Sequence, residues 1–238
     1  MERCFKSLVG LWLTGLLLTI SIPLAGCTRT AGTADADAAI EEESDAEAVS
    51  ESAGTAASAR KKNRRKAEGD VFPVVVLHTS LGELSIKLNV AKAPQTVNNF
   101  LHYVEVGHYN QTIFHQVDAD YVALAGSYTA DLVEKQGRYP IPNEADNGLK
   151  NLRGTIAMAR SPKEIDSSTC QFFINLNDNP SLDHRGDSPD EFGYCVFGEL
   201  IKGMEILDKL AKVGVHDTDD FEKLPIETVL IETAYRTK

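Results

Sequence analysis

Cysteine is scarce in this sequence. Only four of its 238 residues are Cys, and two of them, Cys4 and Cys27, fall within the first 27 positions. Cys170 and Cys195 alone remain for the body of the chain, too few for a disulfide framework. They are expected as two buried free thiols, although an oxidising compartment leaves a bridge between them open. No CxxC and no clustered His/Cys spacing occurs, so no zinc site is expected. Positive charge is short as well. The chain has 24 Lys+Arg against 35 Asp+Glu, a formal net charge of -11, and the phosphates of a nucleic acid would repel it. From Asp70 onward the count is 15 Lys+Arg against 25 Asp+Glu, an acidity that serves solubility. There is no internal repeat and no glycine-rich loop of the kind that cradles phosphate.

What is present divides into three unlike segments. Residues 1–26 read as a targeting leader. Arg3 and Lys6 give it a positive start, and an apolar run follows from Leu8 to Ile22. That run is short for a membrane span and suits a signal-peptide core, with an uncleaved membrane anchor or a plain secretory signal as the other readings of the leader. It ends in Leu24-Ala25-Gly26-Cys27, which resembles the lipobox of bacterial lipoproteins. The resemblance implies a thioether-linked diacylglycerol on Cys27, two acyl chains that give stable anchoring at about 0.8 kcal/mol per buried CH₂. Residues 27–70 form the second segment, rich in Ala, Ser, Thr and charge and almost without large apolar residues. Such a composition cannot offset the entropy of ordering, so a lipidated, flexible linker is expected. Asp35 to Glu51 is acidic and Arg60 to Lys66 strongly basic. The basic run suits either contact with anionic lipid or cell wall, or a plain solvated patch.

The third segment, 71–238, has the patterning of a folded domain. Val74 to Leu77 is a β-branched run that suits a buried strand, Ser80-Leu81-Gly82 a turn, and Glu83 to Leu88 alternates polar and apolar residues as a half-buried strand does. Pro94 opens a stretch in which Val97, Phe100, Leu101 and Val104 recur at helical spacing, and Gly107 is placed to stop it. A second helix is expected from about Met204 to Val213. Short strands are expected around Thr112–Val117, Tyr121–Ala125, Thr155–Ala159, Gln171–Asn175, Tyr194–Glu199 and Ile226–Tyr235. Eight strands and two helices that do not alternate as βαβ units give a mainly β fold, a closed eight-stranded antiparallel barrel capped by two α-helices.

Within this segment several motifs fall in one collinear order. They are Ala93 to Phe100, Gly107-His108-Tyr109, Phe114-His115, Pro142-Asn143-Glu144, Arg153 to Arg160, Gln171-Phe172-Phe173-Ile174-Asn175, Leu182-Asp183 and Val196-Phe197-Gly198. Together they resemble the cyclophilin-type peptidyl-prolyl cis-trans isomerases, and the Asn143–Arg160 region looks most like bacterial members. The resemblance implies rotation about X–Pro bonds, a reaction that needs a dry pocket for the proline ring and a hydrogen-bond donor, and neither metal nor cofactor. It puts the ring against Tyr121, Val122, Phe173 and Leu182. It has Gln171 helping to hold the substrate backbone, Ala159 and Arg160 binding the substrate strand through main-chain groups, and Tyr194 on the rim. His115 lies beside the pocket by the same likeness, with a packed structural role as the other reading.

The sequence departs from the family pattern at four places. The catalytic arginine that follows Phe-His in the family is Gln116 here. A glutamine two residues beyond the family's Phe-Met pair is Leu124, Tyr121-Val122 replace that pair, and Ser181 stands where an aromatic is usual. The rim is therefore expected to be more open, and the loop from Asp183 to Phe192 looks longer and more acidic than usual. The resulting expectation is an exported, lipid-anchored isomerase of the cell envelope, of reduced rate, with Gln116 and His115 at the catalytic position. A non-catalytic proline-peptide binding module or scaffold is the alternative. The expected partners are proline-containing exported or unfolded polypeptides and a membrane through Cys27. Nucleic acid is not expected, and the chain is read as a monomer.

Overall fold

The computed structural model describes residues 72–237. The leader, Cys27 and the linker lie outside the described residues, as do Val71 and the final Lys238. Ten strands and two helices follow in order: β1 Val74–Thr79, β2 Gly82–Leu88, α1 Pro94–Glu105, β3 Thr112–Val117, β4 Val122–Thr129, β5 Thr155–Met158, β6 Phe172–Asn175, β7 Val196–Lys202, α2 Met204–Leu210, β8 Val215–His216, β9 Leu224–Pro225 and β10 Leu230–Arg236.

Eight of the strands close into a barrel in the order β1-β10-β3-β4-β6-β5-β7-β2, and every neighbouring pair is antiparallel. The mainly β barrel with two helices expected from the patterning is thus the observed fold. Two differences are local. The second helix ends at Leu210 instead of about Val213. The strand pair β8–β9 was not anticipated, because two-residue strands carry no periodicity to read.

The barrel interior holds the main core. Val75, Leu77, Leu84, Ile86 and Leu88 point into it from β1 and β2, and Val97, Phe100 and Leu101 reach it from α1. Phe100 sits at the middle of an aromatic group, 5.1 Å from Tyr109, 5.5 Å from Phe172 and 5.1 Å from Phe197 between ring centroids. Cys170 and Cys195 are free and buried. Burial pushes the Cys195 thiol up to about 12, so it stays protonated and packs as a small apolar group.

α1 is held at both ends. At its C-terminus the His108 N–H donates to the Tyr103 carbonyl (2.9 Å) and the Gly107 N–H to the Val104 carbonyl (3.1 Å), with Gly107 at φ +70°. This is the paired arrangement that glycine-terminated helices adopt. The N-terminus begins at Pro94 after Ala93, which has no capping side chain. Its cap comes from far along the chain. The Glu144 carboxylate accepts from the Gln95 N–H (3.1 Å), the Thr96 N–H (2.9 Å) and the Thr96 hydroxyl (2.7 Å), placing negative charge where the helix dipole favours it. Replacing Glu144 by Ala is expected to cost about 1–2 kcal/mol. Calorimetry should show a melting temperature about 2–8 °C lower, with Glu144→Gln between the variant and the parent.

Candidate active site

The outer face of the barrel carries a second apolar cluster. Side chains alternate across a strand, so the residues between the inward-facing Ala123, Ala125, Phe172, Ile174, Ile156 and Met158 must face outward. They are Val122, Leu124, Phe173, Ala157 and Ala159, and they pack with Leu182 and Val196, flanked by Tyr121, Leu149 and Tyr194. The strand registers align a row across five strands: Gln116 opposite Leu124, Leu124 opposite Phe173, Phe173 opposite Ala157, and Ala157 opposite Val196. Of the ten residues named for the site from the sequence, Tyr121, Val122, Ala159, Phe173, Leu182 and Tyr194 meet in this cluster and Gln116 adjoins it by register. Leu149, Ala157 and Val196 were missed. The last two were findable, since each lies two residues from a neighbour on the same face or directly opposite one.

A β-bulge sets the position of Gln116. Phe114 pairs with Ala125 and Gln116 with Leu124, so two steps on β3 match one on β4 and His115 is the extra residue. The bulge keeps Phe114 inside the barrel while aiming Gln116 at the outer row. A second irregularity lies on β4, where Gly126 has φ +103°. A Cβ there would come within 2.8 Å of the Cys170 carbonyl oxygen, so only glycine fits. Next to it, the Gln171 amide nitrogen donates to the Ser127 hydroxyl at 2.7 Å, which fixes Gln171 at the edge of the row, beside Ala159, whose N–H donates to the Gln171 carbonyl.

The segments flanking the sheet are held by buried polar ties. Asn179 Nδ2 donates to the Tyr121 carbonyl (2.9 Å) and to Asn175 Oδ1 (2.7 Å). Asn175 Nδ2 donates to Thr155 Oγ1 (2.9 Å) and Asn151 Oδ1 (3.2 Å), and Asn151 donates through its N–H and its amide to Asp183 Oδ1. This connected network orders Tyr121 and the short 3₁₀ turn Pro180–Leu182. Ser181 is exposed. The rim is nevertheless not open, because Tyr194 lies edge-on to Phe173 at 5.7 Å and 75°. Phe173 is only 1% exposed, and the partly exposed Tyr121 and Tyr194 both pack against its cluster.

Gln116 is 8% exposed and Leu124 6%. The row therefore contains one amide and no charge, and Leu124 offers that amide neither donor nor acceptor. Arg160 does not put its charge in the row. Its guanidinium stacks over Tyr194 at 4.9 Å and donates to four main-chain carbonyls. Burial draws its pKa down, opposed by Tyr194 and Asp190. His115 points to other surroundings, 4.8 Å from the Tyr128 ring and 6.1 Å from Phe221, with Nδ1 buried and unpartnered. Its packing matches the structural role that the sequence left open beside the catalytic one.

A scan of family models matches residues 74–235 to the family described as cyclophilin type peptidyl-prolyl cis-trans isomerase/CLD. The chain is 45% identical over 160 residues to peptidyl-prolyl cis-trans isomerase A of Dickeya dadantii, covering 67% of this chain and 82% of that one. It is 44% identical over 160 residues to peptidyl-prolyl cis-trans isomerase B of Escherichia coli, covering 67% and 97%. A crystal structure of a cyclophilin-type isomerase from Cryptosporidium parvum superposes with a TM-score of 0.61 at 26% identity, covering 70% of this chain and 98% of that one. A second structure of that protein was solved in the presence of the dipeptide Ala-Pro, with a TM-score of 0.60. The described barrel is thus a prolyl-isomerase fold with an apolar outer-face site. The chain belongs to the cyclophilin-type peptidyl-prolyl cis-trans isomerases.

His115 gives the domain a pH dependence of defined sign. Burial lowers its pKa from 6.5 to about 4, with the Ile113 main chain opposing weakly. Below pH 6.5 the unfolded chain takes up a proton that the folded chain refuses until about pH 4, so stability falls across that window. At pH 4.5 the loss from this group is about 2–3 kcal/mol. Urea unfolding at pH 7 and pH 4.5 should show a drop smaller by that amount in His115→Phe than in the parent.

Proposed function

We propose that this chain is a slow prolyl isomerase of exported polypeptides, held at a membrane by lipid on Cys27, with Gln116 in the position of the family's catalytic arginine. The supporting observation is the outer-face row itself, in which Gln116 stands beside the apolar cluster of Val122, Leu124, Phe173 and Leu182. Rotation about an amide bond must break resonance, at a cost of about 18–20 kcal/mol. For X–Pro bonds the uncatalysed step takes tens to hundreds of seconds. A dry surface that holds the proline ring removes water from the amide. A donor near the proline nitrogen favours the twisted state, in which that nitrogen regains its lone pair. Gln116 can donate an N–H there, but without charge. Charge-assisted hydrogen bonds contribute about 1.5–3 kcal/mol and neutral ones about 0.5–1.5. A deficit of about 1–2 kcal/mol slows the step roughly five- to thirtyfold.

The paired loss of charge at Gln116 and polarity at Leu124 favours a second reading, a module that binds proline-containing chains without turnover. Cis-to-trans relaxation of a short X–Pro peptide separates the two. The parent should accelerate it measurably, and Gln116→Arg should be about five- to thirtyfold faster, with a further gain from Gln116→Arg with Leu124→Gln. Peptide binding without any acceleration in the parent would leave only the binding module.

The tether rests on Leu24-Ala25-Gly26-Cys27 after the apolar run Leu8–Ile22. No helix among the described residues is long and apolar enough to cross a membrane. Cys27→Ala should move the protein from the membrane to the soluble fraction and abolish labelling with radioactive palmitate. An unchanged distribution would contradict the lipid anchor.

A further inference from the structure

Tyr194 lies outside every strand, yet it covers Phe173. Its N–H donates to the Leu182 carbonyl at 2.9 Å. The residue before it, Gly193, has φ +78°. A Cβ there would sit 2.6 Å from the Asp183 carbonyl carbon and the His184 nitrogen. That backbone conformation aims the Gly193 carbonyl at two donors, Arg160 Nε (2.9 Å) and Asn143 Nδ2 (3.1 Å).

Arg160 follows directly on Ala159, which lines the site. It is 5% exposed. Besides Gly193 it donates through Nη1 to the Ser161 carbonyl (2.8 Å) and the Pro162 carbonyl (3.2 Å), and through Nη2 to the Pro189 carbonyl (2.6 Å). These acceptors belong to the segment after β5 and to the loop 183–193. Among the described residues no carboxylate comes within ion-pair range of it. Asp190 favours the charge only from beyond that range, so the buried cation lacks a direct ion pair, which is costly, and an apolar side chain of similar volume would fill the space without that cost. Packing alone therefore does not account for a guanidinium here. What the planar fork supplies is several donors in fixed directions together with a face that stacks on an aromatic ring.

We propose that the Arg160 side chain is a positioning residue of the isomerase site, holding the loop 183–193 so that Tyr194 forms a fixed wall over Phe173 against which a proline ring is gripped. Arg160 then acts on substrate through Tyr194 and touches no reacting atom with its side chain. The proposal rests on the outer-face cluster being the proline site, as argued above.

The test is a double-mutant cycle in the full chain purified in detergent, with Arg160→Met, Tyr194→Ala, their combination, and Arg160→Lys. Both Kd and KM are measured for an Ala-Pro-containing tetrapeptide, and ¹⁹F spectra are recorded on protein labelled with 3-fluorotyrosine. Arg160→Met is expected to raise Kd and KM about five- to twentyfold while kcat changes less than threefold. It should also shift or broaden the Tyr194 resonance, assigned by its loss in Tyr194→Phe. Tyr194→Ala should raise Kd by a similar factor, and the combination should be no weaker than Tyr194→Ala alone, since residues acting as one unit are not additive. Arg160→Lys, which keeps the charge but loses the fork, should show most of the loss, and it carries the test if Arg160→Met does not fold. A folded variant with unchanged Kd and unchanged Tyr194 resonance, or losses that add in the combination, would overturn the proposal. Peptide binding without turnover in the parent defeats the isomerase reading while the Kd cycle still judges Arg160. A parent that binds no proline peptide defeats both.

Discussion

The alternation of side chains along β4, β6 and β5 is the constraint on which the rest depends. These strands are apolar on both faces. Phe172, Ile174, Ile156 and Met158 fill the barrel, while Phe173, Ala157 and Leu124 build the cluster outside it. A slip of one residue would exchange the two sets, putting Phe173 into the barrel and Phe172 onto the surface. One register therefore sets both stability and the site. The β3 bulge belongs to the same arrangement, because it lets Phe114 stay inside while Gln116, two residues on, joins the outer row.

Half of the site is not on strands, and there polar side chains replace the ladder. Tyr121 and Leu182 are tied by the asparagine network, Tyr194 by its main-chain bond to Leu182 and by the loop that Arg160 and Asn143 hold. Glu144 does similar work at the start of α1, bringing a carboxylate to the helix from 48 residues away. Each of these groups satisfies main-chain donors or acceptors that irregular segments leave unpaired. Their loss should loosen the rim before it unfolds the barrel.

Most of the architecture was legible because it is periodic. The alternation in Glu83–Leu88, the helical spacing from Val97 to Val104 and the glycine stop at Gly107 all correspond to observed elements. The outer cluster was legible only through likeness to a family, since Val122 and Phe173 look like ordinary core residues by composition. Arg160 shows the limit best. Its main chain was expected at the substrate strand, but the sequence gives no sign that its side chain gathers four carbonyls from two separate segments. Long-range polar ties leave no local pattern. The closed rim was hidden for a related reason, as the exposed Ser181 suggested openness while the covering ring comes from Tyr194, twelve residues after Leu182.

The chemistry then turns on how little polarity the row retains. An apolar surface and one neutral amide can desolvate and twist a peptide bond, but less strongly than a charged fork, and the fold itself does not set the rate. The central claim is that proline binds on this outer face. Titrating the chain with an Ala-Pro peptide while following Val122 and Leu182 methyl resonances and the Phe173 ring tests it most directly. Saturable shifts confined to these groups, with Tyr121 and Tyr194 responding at the rim, are expected. Shifts centred on another face of the barrel, with these resonances unmoved, would contradict it.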